Sequence, residues 1–170
     1  MDCTPEQSVR YKRSRFSTRL PENRLYSPSH CWLWEREPGL WRVGYTKFAT
    51  RMLGELVEHD FEVKPDGPVK VGQIIGWVEG FKAATDVFCV IDGSFVTGNP
   101  ALTANVGLLD EDNYGEGWLY EARGNPEPNA MTVTQYTAIL DLAIDKIQGK
   151  AEEGESEKAE KRESEKSDID

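Results

Sequence analysis

The lysine whose surroundings most suggest chemistry is Lys82, which has small residues beside it and a strand-like segment on each side. Ile74 to Glu79 and Asp86 to Ile91 are rich in Val, Ile, Trp and Phe, which favour strands. This arrangement predicts a hairpin with Lys82 at its tip, where a ligase can reach and acylate the amine. The amide would remove a cation and leave a long arm on a rigid base. Taken alone, the pattern more often marks an ordinary solvated lysine.

Further short strands, separated by turn residues, surround the predicted hairpin and must position it. The spacing predicts strands over Cys31 to Glu35, Leu40 to Tyr45, Leu56 to Val63 and Trp118 to Ala122, with turns at Asp92-Gly93 and Thr97 to Pro100. A short helix is expected over Thr46 to Leu53, ending near Gly54, and a longer one over Val133 to Gln148, with Thr132 or Thr134 as its cap. Many short strands indicate a small barrel or sandwich, here with a C-terminal helix.

The other residue types that could do chemistry are few and scattered. The two histidines, His30 and His59, are expected to pack or to be solvated. Cys3, Cys31 and Cys89 lack the spacing of a zinc site, and Cys89 falls in a predicted core strand. The sequence has no glycine-rich phosphate loop and no nucleophile elbow. An independent enzyme is therefore the least favoured interpretation.

Composition excludes several kinds of partner and predicts three zones. The 170 residues carry a net charge of -10, which argues against nucleic acid and against an anionic membrane surface. We expect a soluble protein of a reducing compartment, either the cytoplasm or, in a eukaryote, the mitochondrion. Residues 1–24 are predicted to be a basic flexible arm and residues 25–148 the folded domain. Residues 149–170, rich in Glu, Lys and Ser, are predicted to be a charged, disordered tail.

Several segments in order resemble the H protein of the glycine cleavage system. The segment around the lysine, Val78 to Asp86, resembles that family's lipoylation site. The other similar segments, in chain order, are Ser29 to Trp32, Val43 to Thr46, Leu53 to Val57 and Tyr114 to Leu119. The resemblance runs from about Leu25 to Gln148, and the ordered combination is more specific than any one motif.

The resemblance implies a fold and a role. The fold would be mainly β, a lipoyl/biotinyl-type flattened β-barrel (barrel-sandwich hybrid) with short flanking helices and a C-terminal helix. Lipoate, attached covalently to Lys82 by a lipoyl ligase or transferase, would carry the aminomethyl group of glycine. The partners would be glycine decarboxylase, a pyridoxal-phosphate enzyme, a folate-dependent aminomethyltransferase and dihydrolipoamide dehydrogenase. The chain itself would be a non-catalytic carrier and a monomer.

The resemblance also implies which residues surround the arm. Ser29, Cys31 and Asp86 match positions that line the family's arm cleft, where Cys31 replaces the usual acid. Exposed acids near the lysine, Glu79 and Glu55, are candidates for recognition by a ligase or partner enzyme. Gly80-Phe81 departs from the small hydroxyl and aliphatic residues that the family usually has there.

Two alternatives within the same fold stay open. The chain could be an H-like lipoyl carrier of another pathway, in sulfur metabolism or lipoyl transfer, or an unmodified H-like domain that only binds proteins. Biotin carriers are less favoured, because their lysine lies between two methionines and Lys82 lies between Phe81 and Ala83. The acyltransferase subunits of 2-oxo acid dehydrogenases usually have Asp before the lysine and continue into large further domains.

Overall fold

A computed structural model describes residues 7–149, which form a mainly β structure with four short to medium helices. The strands are β1 (Ser8–Arg13), β2 (Phe16–Pro21), β3 (Leu25–Tyr26), β4 (Cys31–Glu37), β5 (Leu40–Tyr45), β6 (Leu56–Phe61), β7 (Pro68–Val69), β8 (Ile74–Gly80), β9 (Ala84–Phe88), β10 (Ile91–Gly98) and β11 (Tyr120–Pro126). The helices are α1 (Lys47–Leu53), α2 (Ala101–Ala104), α3 (Leu108–Glu111) and α4 (residues 133–149).

Two sheets share the main core. One has six strands in the order β3-β4-β5-β11-β10-β7, and the other has three in the order β6-β8-β9. Fully buried side chains from both sheets, such as Leu33 and Val43 from the first and Ile75 and Val78 from the second, belong to one apolar cluster. The sheets are not closed into a barrel, but they pack as the predicted flattened sandwich.

The lysine hairpin forms as predicted, although the strand after it is shorter than expected. β8 and β9 pair antiparallel, with Glu79 opposite Ala84, so Lys82 lies in the connection between them. The expected strand from Asp86 to Ile91 was wrong in length, because β9 ends at Phe88 and Ile91 begins β10.

The predicted turn at Asp92-Gly93 was also wrong, because both residues lie inside β10. Gly93 pairs with Gly124 of β11, and a Cβ on Gly93 would lie 1.8 Å from the Arg123 carbonyl oxygen. The glycine therefore permits two strands to approach closely rather than to turn.

The prediction of a flexible arm over residues 1–24 was wrong for residues 8–21, which form the β1–β2 hairpin. One face of this hairpin buries Tyr11, Phe16 and Leu20 against a second apolar cluster that includes Phe48 and Tyr136. The Tyr11 hydroxyl donates to Asp141 of α4 at 2.7 Å. Arg10, Lys12 and Arg19 alternate with the apolar residues and lie on the outer face, whereas Arg13 shares the inner face with Tyr11 and pairs with Asp145 of α4 at 2.8 Å.

The C-terminal helix α4 agrees with the sequence prediction and begins with a reciprocal cap. The Gln135 amide donates to Thr132 Oγ1 at 3.4 Å, and the Thr132 amide donates to Gln135 Oε1 at 3.0 Å. The described part of α4 extends to Gly149, and the rest of the tail predicted over 149–170 lies outside the described residues. None of the helices within residues 7–149 is both long and apolar enough to cross a membrane.

Candidate functional site

Backbone hydrogen bonds fix the tip of the β8–β9 hairpin. The Phe81 amide donates to the Glu55 carbonyl at 2.7 Å, and the Lys82 amide donates to the Leu53 carbonyl at 2.9 Å. The Gly80 amide closes the turn by donating to the Ala83 carbonyl at 2.8 Å. The Lys82 side chain is exposed. The amine thus stands on a base that is tied to the junction between α1 and β6.

Two glycines allow this close contact. Gly54 ends α1 with φ of 78°, and a Cβ there would lie 2.8 Å from Lys82 Cγ. A Cβ on Gly80 would lie 2.2 Å from the Leu53 carbonyl oxygen, which is backbone and has little freedom to move. The glycine at position 80, a departure noted in the sequence, is therefore required by the approach of the hairpin to α1.

A cleft of about 340 Å³ lies beside the hairpin. Its walls are residues 29–31 before and within β4, residues of α1 that include Met52, and the segment from Ala83 to Phe88 directly after the lysine. Ser29, Cys31 and Asp86, the three residues that the sequence proposed for an arm cleft, all line it. Glu79 and Glu55 do not line it, and both are exposed near the hairpin tip.

The side chains of Cys31 and Tyr45 lie next to each other in the cleft, and both are uncharged. The two residues are directly paired across β4 and β5, so their side chains lie on the same face of the sheet. Burial raises the pKa of the Cys31 thiol to about 12. The Tyr45 hydroxyl is buried without a hydrogen-bond partner within the described residues, and its burial also raises its pKa. Both groups therefore stay protonated near neutral pH.

His30 fixes the corner between Ser29 and Cys31. Its backbone has φ of 67°, and its Nδ1 lies 2.8 Å from the Tyr136 hydroxyl of α4. The same hydroxyl lies 2.8 Å from Thr46 Oγ1 at the start of α1. Burial lowers the pKa of His30 to about 4, so the ring is neutral in the folded protein near neutral pH.

A chain of hydroxyls connects Ser29 to a carboxylate that sequence reasoning did not find. Ser29 Oγ lies 2.7 Å from Ser27 Oγ, and Ser27 Oγ donates to Glu127 Oε1 at 2.6 Å. Ser29 Oγ is also 3.9 Å from Cys31 Sγ. Glu127 follows β11 and lies 100 positions after Ser27, so only the fold brings the hydroxyls and the carboxylate together.

Tyr45 was also missed, because its place in the cleft depends on an irregularity in the β4–β5 pairing. Counting from the Glu37–Leu40 pair beside the turn would place Tyr45 opposite Trp32, and the register shift between Glu35 and Glu37 brings it opposite Cys31 instead. The apolar rim of the cleft includes Met52 and Phe88, which are 49% and 46% exposed. Within residues 7–149, no three His, Cys, Asp or Glu side chains lie together as a metal site requires.

Comparisons with known proteins agree on one family. A family model described as "Glycine cleavage H-protein" matches residues 24–141. The glycine cleavage system H protein of Corynebacterium jeikeium (strain K411) is 37% identical over 126 residues, 71% of this chain and 97% of the relative. The protein of that name from Enterobacter sp. (strain 638) is 32% identical over 127 residues, covering 72% and 96%. The crystal structure of a glycine cleavage system H protein from Mycobacterium marinum matches with a TM-score of 0.64 at 28% identity, covering 70% of this chain and 97% of that one.

The packed sheets and the exposed lysine on a fixed hairpin define the lipoyl/biotinyl-type class of carrier domains. Within that class, the chain belongs to the glycine cleavage H-protein family. The resemblance stated from the sequence is confirmed, as is the fold class, with the sheets packed but not closed. Members of this family are carrier components and not catalysts.

Proposed function

We propose that this protein is the lipoyl carrier of a glycine cleavage system, with lipoate joined covalently to Nζ of Lys82. The observation that carries the proposal is the exposed Lys82, whose backbone amide and that of its neighbour Phe81 are tied to the α1–β6 junction beside a cleft. Its relatives are named glycine cleavage system H proteins. The chemistry of the attached group is that of a disulfide whose sulfur can carry the aminomethyl group of glycine.

The residues present fit such a group. The amine is reachable by a ligase, and residues 83–88 lead directly from it along one wall of the cleft. The cleft has an apolar lining for a hydrocarbon arm and an unpartnered buried hydroxyl at Tyr45. Ser29, Cys31 and Asp86 are the side chains that would contact the end of the arm. Their role is to orient the arm and keep water from it.

The exposed surface around the lysine fits transient partners. Glu55 and Glu79 place negative charge beside the hairpin tip, and Phe81 is 83% exposed there. An exposed aromatic with acids nearby suits a partner surface that has an apolar pocket and a basic rim. The partners proposed are a lipoyl ligase or transferase, glycine decarboxylase, the folate-dependent aminomethyltransferase and dihydrolipoamide dehydrogenase. The proposed location is the cytoplasm, and the proposed free state is a monomer.

The proposal is tested by reconstitution with glycine decarboxylase and labelled bicarbonate. The lipoylated chain should support exchange of the label into glycine, and Lys82→Arg should abolish it, because a guanidinium is not a substrate for amide formation. Lys64→Arg, at an exposed lysine outside the cleft, is the matched control and should retain the exchange. A lipoylated chain that supports no exchange would contradict the glycine role and favour an H-like carrier of another pathway.

A further inference from the structure

The number of available protons determines the direction of each hydrogen bond between Ser29 and Glu127. A carboxylate accepts only, and each serine hydroxyl has one proton to donate. The Ser27 proton goes to Glu127 Oε1 at 2.6 Å, so the 2.7 Å contact between Ser27 and Ser29 must use the Ser29 proton. The Ser29 amide also donates to Ser27 Oγ, at 3.2 Å. With that proton used, Ser29 Oγ does not donate to Cys31 Sγ, which lies 3.9 Å away, and it is left as an acceptor.

The charge of Glu127 strengthens that acceptor. Hydrogen bonds in a chain polarise one another, so a carboxylate at one end raises the electron density on the last oxygen. Glu127 is half-buried, which limits the screening of its charge by water, and its own amide is fixed by a 2.9 Å bond to the Val90 carbonyl. Ser29, the outer end of the chain, lines the cleft beside Lys82.

The charges of the other titratable groups that face the cleft favour the binding of a cation. Asp86 supplies a carboxylate on the opposite wall, while His30, Cys31 and Tyr45 are neutral near pH 7. No lysine or arginine is among the lining residues. Acceptors thus stand on two walls, with no positive charge among the lining side chains.

We propose that Glu127 acts through Ser27 to hold Ser29 as an acceptor toward the ammonium of the aminomethyl group that the proposed function places on the arm of Lys82. Glu127 is the positioning residue of this site, because it acts through the two serines. It supplies from the end of β11 the negative charge that Cys31, as a buried neutral thiol, does not supply. The inference rests on the proposed function and adds to it the residue that selects a cationic group.

The test compares two arms of similar length on the full chain. Lys82 is loaded with lipoate in a Cys3→Ser background, and the reduced arm is alkylated with either 2-bromoethylamine or 1-bromopropane, giving cationic or neutral thioethers. The fraction of docked arm is read from the amide shifts of residues 29–31 and 83–88. Glu127→Gln, which keeps an oxygen for Ser27, should lower the docking constant of the cationic arm about fivefold, the effect of one screened charge.

The neutral arm should dock equally well in wild type and in Glu127→Gln. Glu62→Gln, an exposed acid away from the cleft, is the control and should change neither arm. Unchanged docking of the cationic arm in Glu127→Gln would overturn the inference, and so would an equal loss for both arms, which indicates a merely structural role. These results are separate from failure of the proposed function, which shows as a Lys82 that is never lipoylated in its host.

Discussion

His30 combines a left-handed backbone, with φ of 67°, and a ring packed 4.6 Å from Phe48. Its pKa falls from an ordinary 6.5 to about 4 because burial disfavours the charged ring. Well above pH 6.5 the ring is neutral in both the folded and unfolded states, so it adds no pH dependence there. As pH falls from 6.5 towards 4, only the unfolded chain takes up the proton, and stability is lost.

The variant that tests this is His30→Asn, since Asn tolerates positive φ and does not titrate. Between about pH 7 and about pH 5, the wild-type free energy of unfolding should fall by about 2 kcal/mol more than that of the variant. Urea unfolding at both pH values measures it. Parallel pH dependence in the two proteins would contradict a neutral buried His30.

The contact between two elements, the β8–β9 hairpin and the end of α1, determines the position of Lys82. Gly80→Ala would place a methyl group against the Leu53 carbonyl, at 2.2 Å before any movement. The expected loss of stability is about 1–3 kcal/mol, as for other overpacked sites. Hydrogen exchange at the Phe81 and Lys82 amides should accelerate with it, because both donate to this junction.

Gly149→Ala is the control, because a Cβ there meets nothing within 4 Å. It should leave the exchange of both tip amides unchanged and should not lower the unfolding free energy, because alanine favours a helix more than glycine does. Retained protection of those amides in Gly80→Ala would show that the hairpin tip is not held by its approach to α1.

The boundaries of the strands and helices show which of them local sequence patterns can predict. β4 and β5 were predicted from the turn residues around Gly39, and the end of α1 from Gly54, which are local signals. We predicted a turn inside β10 because Asp92-Gly93 has the composition of a turn. In the structure, Gly93 instead allows β10 to lie close to Gly124 of β11. That approach depends on the partner strand, so local sequence does not reveal it.

Over the whole fold, the N-terminal β1–β2 hairpin packs against α4 and completes a second apolar core. Arg13 donates to both carboxylate oxygens of Asp145, at 2.9 and 2.8 Å, and Leu20 is fully buried. The many charges in this stretch suggested a flexible arm, but Arg10, Lys12 and Arg19 lie on the outer face, Arg13 binds α4, and the apolar residues face the core. The Ser29–Glu127 connection was hidden for a different reason, since a contact between distant segments exists only after folding.

If this second core supports the fold, Leu20→Ala should lower the free energy of unfolding by about 2–5 kcal/mol, as for other buried leucines. Arg19→Ala, on the exposed face of the same strand, is the matched control and should change stability by about 0.5 kcal/mol or less. Thermal and urea unfolding provide the measurement. Equal and small effects for both variants would support a loosely attached arm.

The proposed carrier role depends on lipoate attached to the amine of Lys82. Mass spectrometry of the intact protein purified from its own host, followed by peptide mapping, measures that attachment. We expect the mass of one lipoyl group, located on the peptide that contains Lys82 and absent from Lys82→Arg. A Lys82 that stays unmodified in cells whose other lipoyl proteins are loaded would rule out the carrier role.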